Sequence, residues 1–315
     1  MPDFDDALAG TPWVDWQITP LAGDASARRF ARLTGPDGDS AILMLTPPAE
    51  AASQTAFVRI ARFLAERGYP APRILRESGP AVLMTDLGQT DFATALDRSP
   101  SDAATLYAAA TDILAALHAE APPPDLSRLT PDRAAEMVGL AATHYARNPA
   151  AEAPLSEAMG DAFARLAPDP AHLALRDYHA ENLIWRPDRE GQDRIGLIDF
   201  QDAFLAPAGY DLASLLRDAR RAVPEAIPTA MTRRFCEATG LAEEPFRAQL
   251  ACLGAQRNLR ILGVFARLSS DHGKTRYLPM LPLLWAHLQS DLAHPALSEL
   301  ARVVARHLSP PEPLP

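Results

Sequence analysis

Short apolar runs at the start of the chain give way further along to an apolar pattern with a helical period. Residues 29–33 and 41–45 are apolar runs that flank a Gly-Pro-Asp-Gly turn, which predicts a β-hairpin. Residues 54–67 place their apolar side chains on one helical face, and residues 81–85 are a further apolar run typical of a strand. The first part of the chain is therefore predicted to be a small sheet with one helix.

The pattern in the remainder is mainly helical. Residues 103–118 and 133–145 have apolar side chains at helical spacing, and so do most segments after residue 210. Two short strands, 183–185 and 195–198, surround a polar turn within this region. The expected fold class is α+β.

Polar side chains flank the second pair of predicted strands. Asp177 and Asn182 precede the first of these strands, and Asp199 follows the second. A hairpin of two short strands brings Asn182 and Asp199 to one end, with Asp177 on the loop just before it. Oxygen ligands of this type suit Mg²⁺, and phosphoryl transfer also needs a carboxylate that orients the attacking hydroxyl. The spacing matches a kinase catalytic loop, which predicts Asp177 as the base and Asn182 and Asp199 as metal ligands.

Four residues near the predicted base and metal ligands have either two alternative roles or a structural role. His179 either contacts phosphate or substrate, or braces the loop through a backbone hydrogen bond. Asp202 either faces the acceptor or stabilises a turn. Arg176 is expected to pair with a nearby acid, and Asp211, which precedes an apolar run, is typical of a helix N-cap.

A phosphate-binding segment is expected around residues 22–29, although it is neither a Gly-x-Gly-x-x-Gly loop nor a Walker A motif. Its small residues let backbone N–H groups approach an anion. Ser26 offers a hydroxyl, and Arg28 or Arg29 offers positive charge, with strand alternation directing only one of the two inward. A plain surface hairpin is the alternative. Lys274 is the only lysine in the chain, so either an arginine replaces the strand lysine of protein kinases or the phosphate site is weak.

Several of these motifs resemble the aminoglycoside phosphotransferase/choline kinase group, and within it the anomeric N-acetylmuramate/N-acetylglucosamine kinases of cell-wall recycling. The resemblance covers roughly residues 17 to 285. The matching segments are Asp24-Ala25-Ser26 with Arg28-Arg29-Phe30, Ile42-Leu43-Met44, Asp86-Leu87-Gly88, Arg176-Asp177-Tyr178, Asp199-Phe200-Gln201-Asp202-Ala203, Tyr210-Asp211, and residues 256–267 and 273–278.

The resemblance implies a bilobal protein-kinase-like fold. Residues 1–87 would form a small N-lobe, an antiparallel sheet plus a helix, that covers the nucleotide phosphates. Residues 88–315 would form a larger, mainly helical C-lobe with the catalytic loop, the metal site and the acceptor-binding helices. The implied cofactors are ATP and Mg²⁺, with further nucleotide contacts at Met44, Thr85 and Asp86. The implied reaction transfers the γ-phosphoryl group to the anomeric hydroxyl of an amino sugar.

The sequence departs from the family pattern at two positions. Leu175 stands where a histidine often precedes Arg-Asp, which loosens the expected loop anchor but leaves the base in place. Leu45 stands where the group often has an acid after Met44. A leucine cannot supply the carboxylate that this acid provides in the group.

Candidate substrate contacts lie in the C-terminal part. N-acetylmuramate bears a carboxylate, which suits a bidentate arginine. Arg257, Arg260 and Arg267 fall near one helical face, and Lys274 follows on a glycine-containing loop. A solvated or ion-paired helix face is the alternative.

Composition narrows the expected partners to a small-molecule acceptor. The 315 residues carry a net charge of −10 without a basic face, which argues against nucleic acid. No signal peptide or long apolar run is evident, so no membrane association is expected, and no obligate protein partner is indicated. Two cysteines, Cys236 and Cys252, form no disulfide framework, which favours a reducing cytoplasm.

Three functions remain from the sequence. The first is an amino-sugar anomeric kinase, and the second is another small-molecule kinase of the same fold, acting on an aminoglycoside, choline or a homoserine-like hydroxyl. The third is a catalytically inactive nucleotide-binding or scaffold protein. The missing strand lysine supports the third function, whereas the intact set of Asp177, Asn182 and Asp199 opposes it.

Overall fold

The computed structural model describes residues 3–21 and 27–311. The chain packs as two compact units, the first containing Met1–Pro100 and Glu181–Ala203 and the second containing Ser101–Ala180 and Phe204–Pro315. The domain boundary expected between residues 87 and 88 stays a prediction. The two units are defined by how their residues pack together, whereas a domain is defined by its ability to fold independently.

Both strands and helices are present, so the α+β class is confirmed. The strands in chain order are β1 Gln17–Leu21, β2 Arg29–Thr34, β3 Ser40–Leu45, β4 Ile74–Ser78, β5 Ala81–Thr85, β6 His172–Ala174, β7 Leu183–Trp185, β8 Ile195–Leu197 and β9 Phe204–Ala206. The helices are α1 Phe4–Leu8, α2 Ala51–Glu66, α3 Phe92–Arg98, α4 Ala103–His118, α5 Pro131–Leu140, α6 Glu152–Leu166, α7 Tyr210–Leu216, α8 Ala226–Thr239, α9 Glu243–His272, α10 Leu281–Leu292 and α11 Ser298–His307.

A five-stranded antiparallel sheet in the order β1-β2-β3-β5-β4 forms the base of the first unit. The predicted hairpin is β2–β3, in which Phe30 lies opposite Met44. One face of the sheet is covered by Phe4 and Leu8 of α1, which pack with Leu33 and other buried sheet residues. Arg28 lies directly before β2 and Asp86 directly after β5, so this sheet positions both residues.

The helix α2 and the small β7–β8 pair complete the part of the first unit that positions polar residues. The apolar face of α2 is buried through Phe57, Ile60 and Leu64, as its period predicts. The ring of Phe57 stacks on Phe200 at a centroid distance of 5.1 Å. Phe200 is fully buried, so this contact anchors the segment that follows β8.

The second unit is organised around α9, a helix of 30 residues. Gly263 lets α9 approach the end of α5 closely, because a Cβ at this position would lie 2.4 Å from the carbonyl carbon of Leu140. Directly beyond this contact, residues Ala141–Tyr145 form a π-helical turn. The single helix predicted over residues 133–145 is therefore divided into an α-helical part and a π-helical turn. The division between the two coincides with the close approach of α9 at Gly263.

Within residues 3–21 and 27–311, no helix combines the length and the apolar character that crossing a membrane requires.

Candidate active site

Asn182 and Asp199 meet at one end of the β7–β8 pair. The two strands are antiparallel, with Leu183 opposite Leu197. The side-chain amide of Asn182 donates a hydrogen bond to Asp199 Oδ2 at 3.4 Å. In the backbone, the Ile198 N–H donates to the Asn182 carbonyl at 3.2 Å. The predicted convergence of these two side chains is therefore confirmed.

Asp199 is held in an unusual backbone conformation. Its φ angle is 59°, in the left-handed region that aspartate and asparagine tolerate better than most residues. The next residue, Phe200, is locked in the core against Phe57. The Gln201 side-chain amide donates to Asp199 Oδ1 at 3.1 Å. The carboxylate is thus fixed in orientation although its side chain is 44% exposed.

Arg28 is a buried cation beside this carboxylate. Its Nη2 lies 3.5 Å from Asp199 Oδ1, and its Nη1 donates to Gln201 Oε1 at 3.2 Å. Its Nε lies 3.6 Å from Oε2 of Glu50, the residue directly before α2. Glu50 also accepts the Ala27 N–H at 3.0 Å. Arg28 therefore links the start of α2 to Asp199.

Glu50 was not found from the sequence. The only available signal was an acidic residue just ahead of the predicted helix, a position that is common for electrostatic reasons alone. Its partner Arg28 lies 22 positions away in the chain, so only the folded structure connects the two.

Arg29 points away from Arg28, as strand alternation predicts. Its side chain is 45% exposed and lies 3.3 Å from an exposed carboxylate oxygen of Asp3. Its guanidinium lies 4.5 Å from the centre of the Phe4 ring. Ser26, the other candidate in this segment, lies outside the described residues.

The remaining nucleotide candidates of the first unit are in the sheet or directly after it. Met44 is fully buried in β3, and the Thr85 hydroxyl accepts a backbone N–H at 2.9 Å. The Asp86 carboxylate forms a two-point ion pair with Arg32, with 2.6 Å between Oδ2 and Nε. Asp86 thus has a structural partner, and the three nucleotide contacts stay predictions.

In the second unit, the loop that carries Asp177 is held by Asp211. The Asp211 carboxylate accepts the N–H groups of Leu175 and Arg176 at 2.6 and 3.0 Å. Arg176 has a φ of 76°, so the chain turns sharply just before Asp177. The interpretation of Asp211 as a helix N-cap is wrong. The cap of α7 is Gly209, which has no side chain to donate or accept, and Asp211 lies inside the helix.

The other end of this loop is also fixed. The Ala180 N–H donates to Asp218 Oδ2 at 3.3 Å, and the buried Tyr178 hydroxyl donates to the Ala110 carbonyl of α4 at 2.8 Å. His179 is buried, and burial lowers its pKa well below the usual value, with the charges of Arg220 and Arg257 acting in the same direction. His179 is therefore neutral at pH 7, and its contact with substrate or phosphate stays a prediction.

Burial raises the pKa of Asp211 to about 7, against the lowering effect of its two backbone hydrogen bonds and of Arg257. The folded protein then keeps a proton that the unfolded chain releases above its ordinary pKa near 4. Stability should consequently fall as pH rises from about 4 to about 7 and then level off, by up to about 4 kcal/mol from this group. In Asp211→Asn this contribution should be absent, measured as the pH dependence of the free energy of unfolding.

The two proteins share every other titrating group, so the difference between their pH profiles isolates Asp211. Asp188→Asn, in the exposed turn after β7, serves as the matched control and should follow the wild type. A constant difference between wild type and Asp211→Asn from pH 4 to 8 would contradict the raised pKa.

Among the substrate candidates, Arg257 and Arg260 lie in the same unit as Asp177. Arg257 is buried at 5% exposure, and its guanidinium lies 5.8 Å from the centre of the Tyr210 ring. Arg260 is partly buried. Lys274 is partly exposed beyond the end of α9, and Asp202 is an exposed residue of the first unit.

The oxygen donors at the β7–β8 mouth fit a hard divalent cation. Asn182 and Asp199 supply an amide and a carboxylate side by side. Across the described part of the chain, no group of three or more His, Cys, Asp and Glu residues is arranged to hold a metal. This donor set suits Mg²⁺ better than a transition metal, because Mg²⁺ is commonly held by one or two side chains together with phosphate oxygens and water.

An antiparallel sheet with a covering helix, a short loop with a carboxylate, and an Asn–Asp pair at a strand hairpin define a protein-kinase-like phosphotransferase. Comparison with known proteins agrees with this class. Residues 17–250 match the model of the phosphotransferase enzyme family, and the chain belongs to that family. It is an enzyme that transfers a phosphoryl group to an alcohol group of a small molecule, and membership of a kinase family implies ATP as the donor.

A relative from Caulobacter vibrioides, named N-acetylmuramate/N-acetylglucosamine kinase, is 36% identical over 93% of this chain and 92% of its own length. The fold resembles that of a choline/ethanolamine kinase family protein from Mesorhizobium loti, with a TM-score of 0.65, 15% identity, and coverage of 96% of this chain and 98% of the other. It also resembles a Streptomyces rimosus aminoglycoside phosphotransferase in complex with ADP and streptomycin, with a TM-score of 0.50, 19% identity, and coverage of 79% and 96%. The protein-kinase-like fold is thereby confirmed.

Proposed function

We propose that this enzyme transfers the γ-phosphoryl group of ATP to the anomeric hydroxyl of N-acetylmuramate or N-acetylglucosamine. The chemistry is supported above all by the pairing of Asn182 with Asp199 at the β7–β8 mouth, with Asp177 five residues before Asn182 in the chain. The choice of acceptor is supported by the name and the extensive similarity of the Caulobacter vibrioides relative.

Asp177 is assigned the role of the base. It orients the attacking hydroxyl and takes its proton. Asp211 holds the backbone just before Asp177, and Asp218 holds the loop three residues after it. These clamps restrict the loop, so little of the orientation of Asp177 has to be established when substrate binds.

Asn182 and Asp199 are assigned to Mg²⁺, which when bound would neutralise negative charge on the ATP phosphates. The fixed, partly exposed carboxylate of Asp199 suits this task, because its orientation is set by Phe200 and Gln201 rather than by the ligand.

Arg28 is assigned the place of the missing lysine. In protein kinases a strand lysine pairs with a glutamate of the covering helix and contacts phosphate. Here Arg28 is buried against Glu50, the residue before α2, and also lies beside Asp199. The same pair of charges is thus made with an arginine from the segment before β2.

Replacing Arg28 with methionine should raise the KM for ATP by about 10- to 100-fold, because a charge-assisted contact of roughly 1.5–3 kcal/mol is lost. Initial rates at varied ATP concentration measure this effect. Arg29→Met is the matched control, since it makes the same change at the adjacent exposed position. Equal effects of the two substitutions would refute the assignment, and thermal unfolding of both variants checks that each is folded.

The acceptor is tested with a panel of N-acetylmuramate, N-acetylglucosamine, an aminoglycoside and choline, each with Mg²⁺ and ATP. A sugar 1-phosphate identified by mass spectrometry and phosphorus NMR is the expected product. The 1-O-methyl glycoside of N-acetylglucosamine is a matched control substrate, because its anomeric oxygen is blocked. Phosphorylation of this glycoside would exclude the anomeric position, and turnover of the aminoglycoside or choline alone would favour the second sequence interpretation.

The proposed setting is the cytoplasm, where ATP is available. Cys236 and Cys252 are both buried free thiols, and free thiols are typical of a reducing compartment.

A further inference from the structure

Arg257 is a buried cation without an ionic partner in the described chain. Its side chain is 5% exposed, and its Nε is buried without a hydrogen-bond partner among the described residues. The contact with the Tyr210 ring, at 5.8 Å, is a long one for a cation–π interaction. Buried charges are normally paired, because leaving water without compensation is unfavourable. A bound anion would therefore stabilise Arg257 at this position.

Arg260 adds a second positive charge one helical turn further along α9. No ion pair or side-chain hydrogen bond of Arg260 occurs within residues 3–21 and 27–311. Burial lowers the pKa of Arg260, and the charges of Arg176 and Arg257 lower it further. Like charges this close in a partly buried position repel each other, and a bound anion would relieve the repulsion.

The acids nearby do not neutralise this pair. Both oxygens of Asp211 accept backbone N–H groups, and burial raises the pKa of Asp211 to about 7, which weakens this carboxyl as a counter-charge. Asp177 raises the pKa of Arg260 and is the other acid that acts on this pair. The charges of Arg176, Arg257 and Arg260 outnumber those of Asp177 and Asp211, so positive charge is in excess around this part of α9.

We propose that Arg257 and Arg260 bind the lactyl carboxylate of N-acetylmuramate and so set the preference of the enzyme between its two sugars. This inference rests on the proposed function. The carboxylate is the only charged group that distinguishes the two sugars, and it is attached to ring carbon 3, two carbons from the anomeric carbon. Guanidinium groups recognise carboxylates through paired charge-assisted hydrogen bonds. Arg257 lies beside the ring of Tyr210, and the next residue in the chain, Asp211, holds the backbone just before Asp177, which connects this pair to the loop of the proposed base.

The test measures kcat/KM for both sugars at saturating ATP in Arg257→Met and Arg260→Met. The ratio of N-acetylmuramate to N-acetylglucosamine activity should fall by about 10- to 100-fold in each variant, as expected for loss of a charge-assisted contact. Arg247→Met is the matched control on the same helix, because Arg247 is paired with Glu243. It should leave the ratio at the wild-type value.

A second measurement needs no variant. The wild-type enzyme should use the carboxamide of N-acetylmuramate about 10- to 100-fold less efficiently than the acid, because the charge is lost while the shape is kept. This arm stays informative if Arg257→Met fails to fold.

Three results would overturn the inference. The first is an equal loss of kcat/KM with both sugars in the arginine variants. The second is a raised KM for ATP with an unchanged sugar ratio, which would assign the arginines to phosphate. The third is equal use of N-acetylmuramate and its carboxamide by the wild-type enzyme. Failure of the wild-type enzyme to phosphorylate either sugar is a different result, because it refutes the proposed function itself.

Discussion

Asp177→Asn is expected to lower kcat for sugar phosphorylation by about 10²- to 10⁴-fold, the usual contribution of a positioned general base. Asparagine has nearly the shape of aspartate but cannot accept the proton of the attacking hydroxyl. The clamps from Asp211 and Asp218 act on the backbone of neighbouring residues, so the loop should keep its conformation. Steady-state kinetics with a coupled ADP assay measure the loss, and calorimetric titration with a non-hydrolysable ATP analogue should show nucleotide binding close to that of the wild type.

Asp188→Asn is the matched control for this substitution. Asp188 is an exposed residue of the turn between β7 and β8, and the same charge is removed there. Its kcat should remain within a factor of about two of the wild type, as for an ordinary surface change. If Asp177→Asn keeps more than a tenth of the wild-type kcat, Asp177 is not the base.

Asp199→Asn should reduce activity by roughly 10²- to 10³-fold, since several kcal/mol of metal-dependent stabilisation would be lost. Asparagine is the informative replacement because the φ of 59° at this position belongs to the left-handed region, which asparagine also tolerates. An alanine would add backbone strain to the loss of charge. The Mg²⁺ concentration that gives half-maximal rate should rise as well, because one negatively charged ligand has become neutral.

The control for Asp199→Asn is Asp193→Asn, at an exposed position just before β8. Its Mg²⁺ dependence should match that of the wild type. Should Asp199→Asn reach the wild-type rate at saturating Mg²⁺ with the same half-saturating concentration, the metal assignment would have to be abandoned.

Local patterns predicted the elements whose stability is itself local. The strands at residues 81–85 and 183–185 and the helix at 103–118 appear in the structure with the predicted bounds. Each has a clear apolar period and strong turn or proline signals at its ends. The proximity of Asn182 and Asp199 also followed from the sequence, because antiparallel pairing of two short strands brings the residue before the first strand and the residues after the second to the same end.

Elements without such signals were missed. The strands β6 and β9 have three residues each and pair across about 30 positions of the chain, so no local pattern reveals them. The π-helical turn at Ala141–Tyr145 lies where Gly263 of α9 approaches the end of α5. Both features arise from contacts between segments that are distant in sequence.

The sequence by itself determined the class of chemistry, since the spacing of Asp177, Asn182 and Asp199 is a local property of one loop and one hairpin. Only the tertiary structure decided that Arg28 rather than Arg29 faces Asp199, and that Glu50 pairs with Arg28. It also decided that Asp211 holds the loop before Asp177 instead of capping a helix. It also showed that Arg257 is buried and that its Nε has no hydrogen-bond partner among the described residues. The physical reason is that burial and long-range pairing set the energy of a charge, and neither can be derived from its neighbours along the chain.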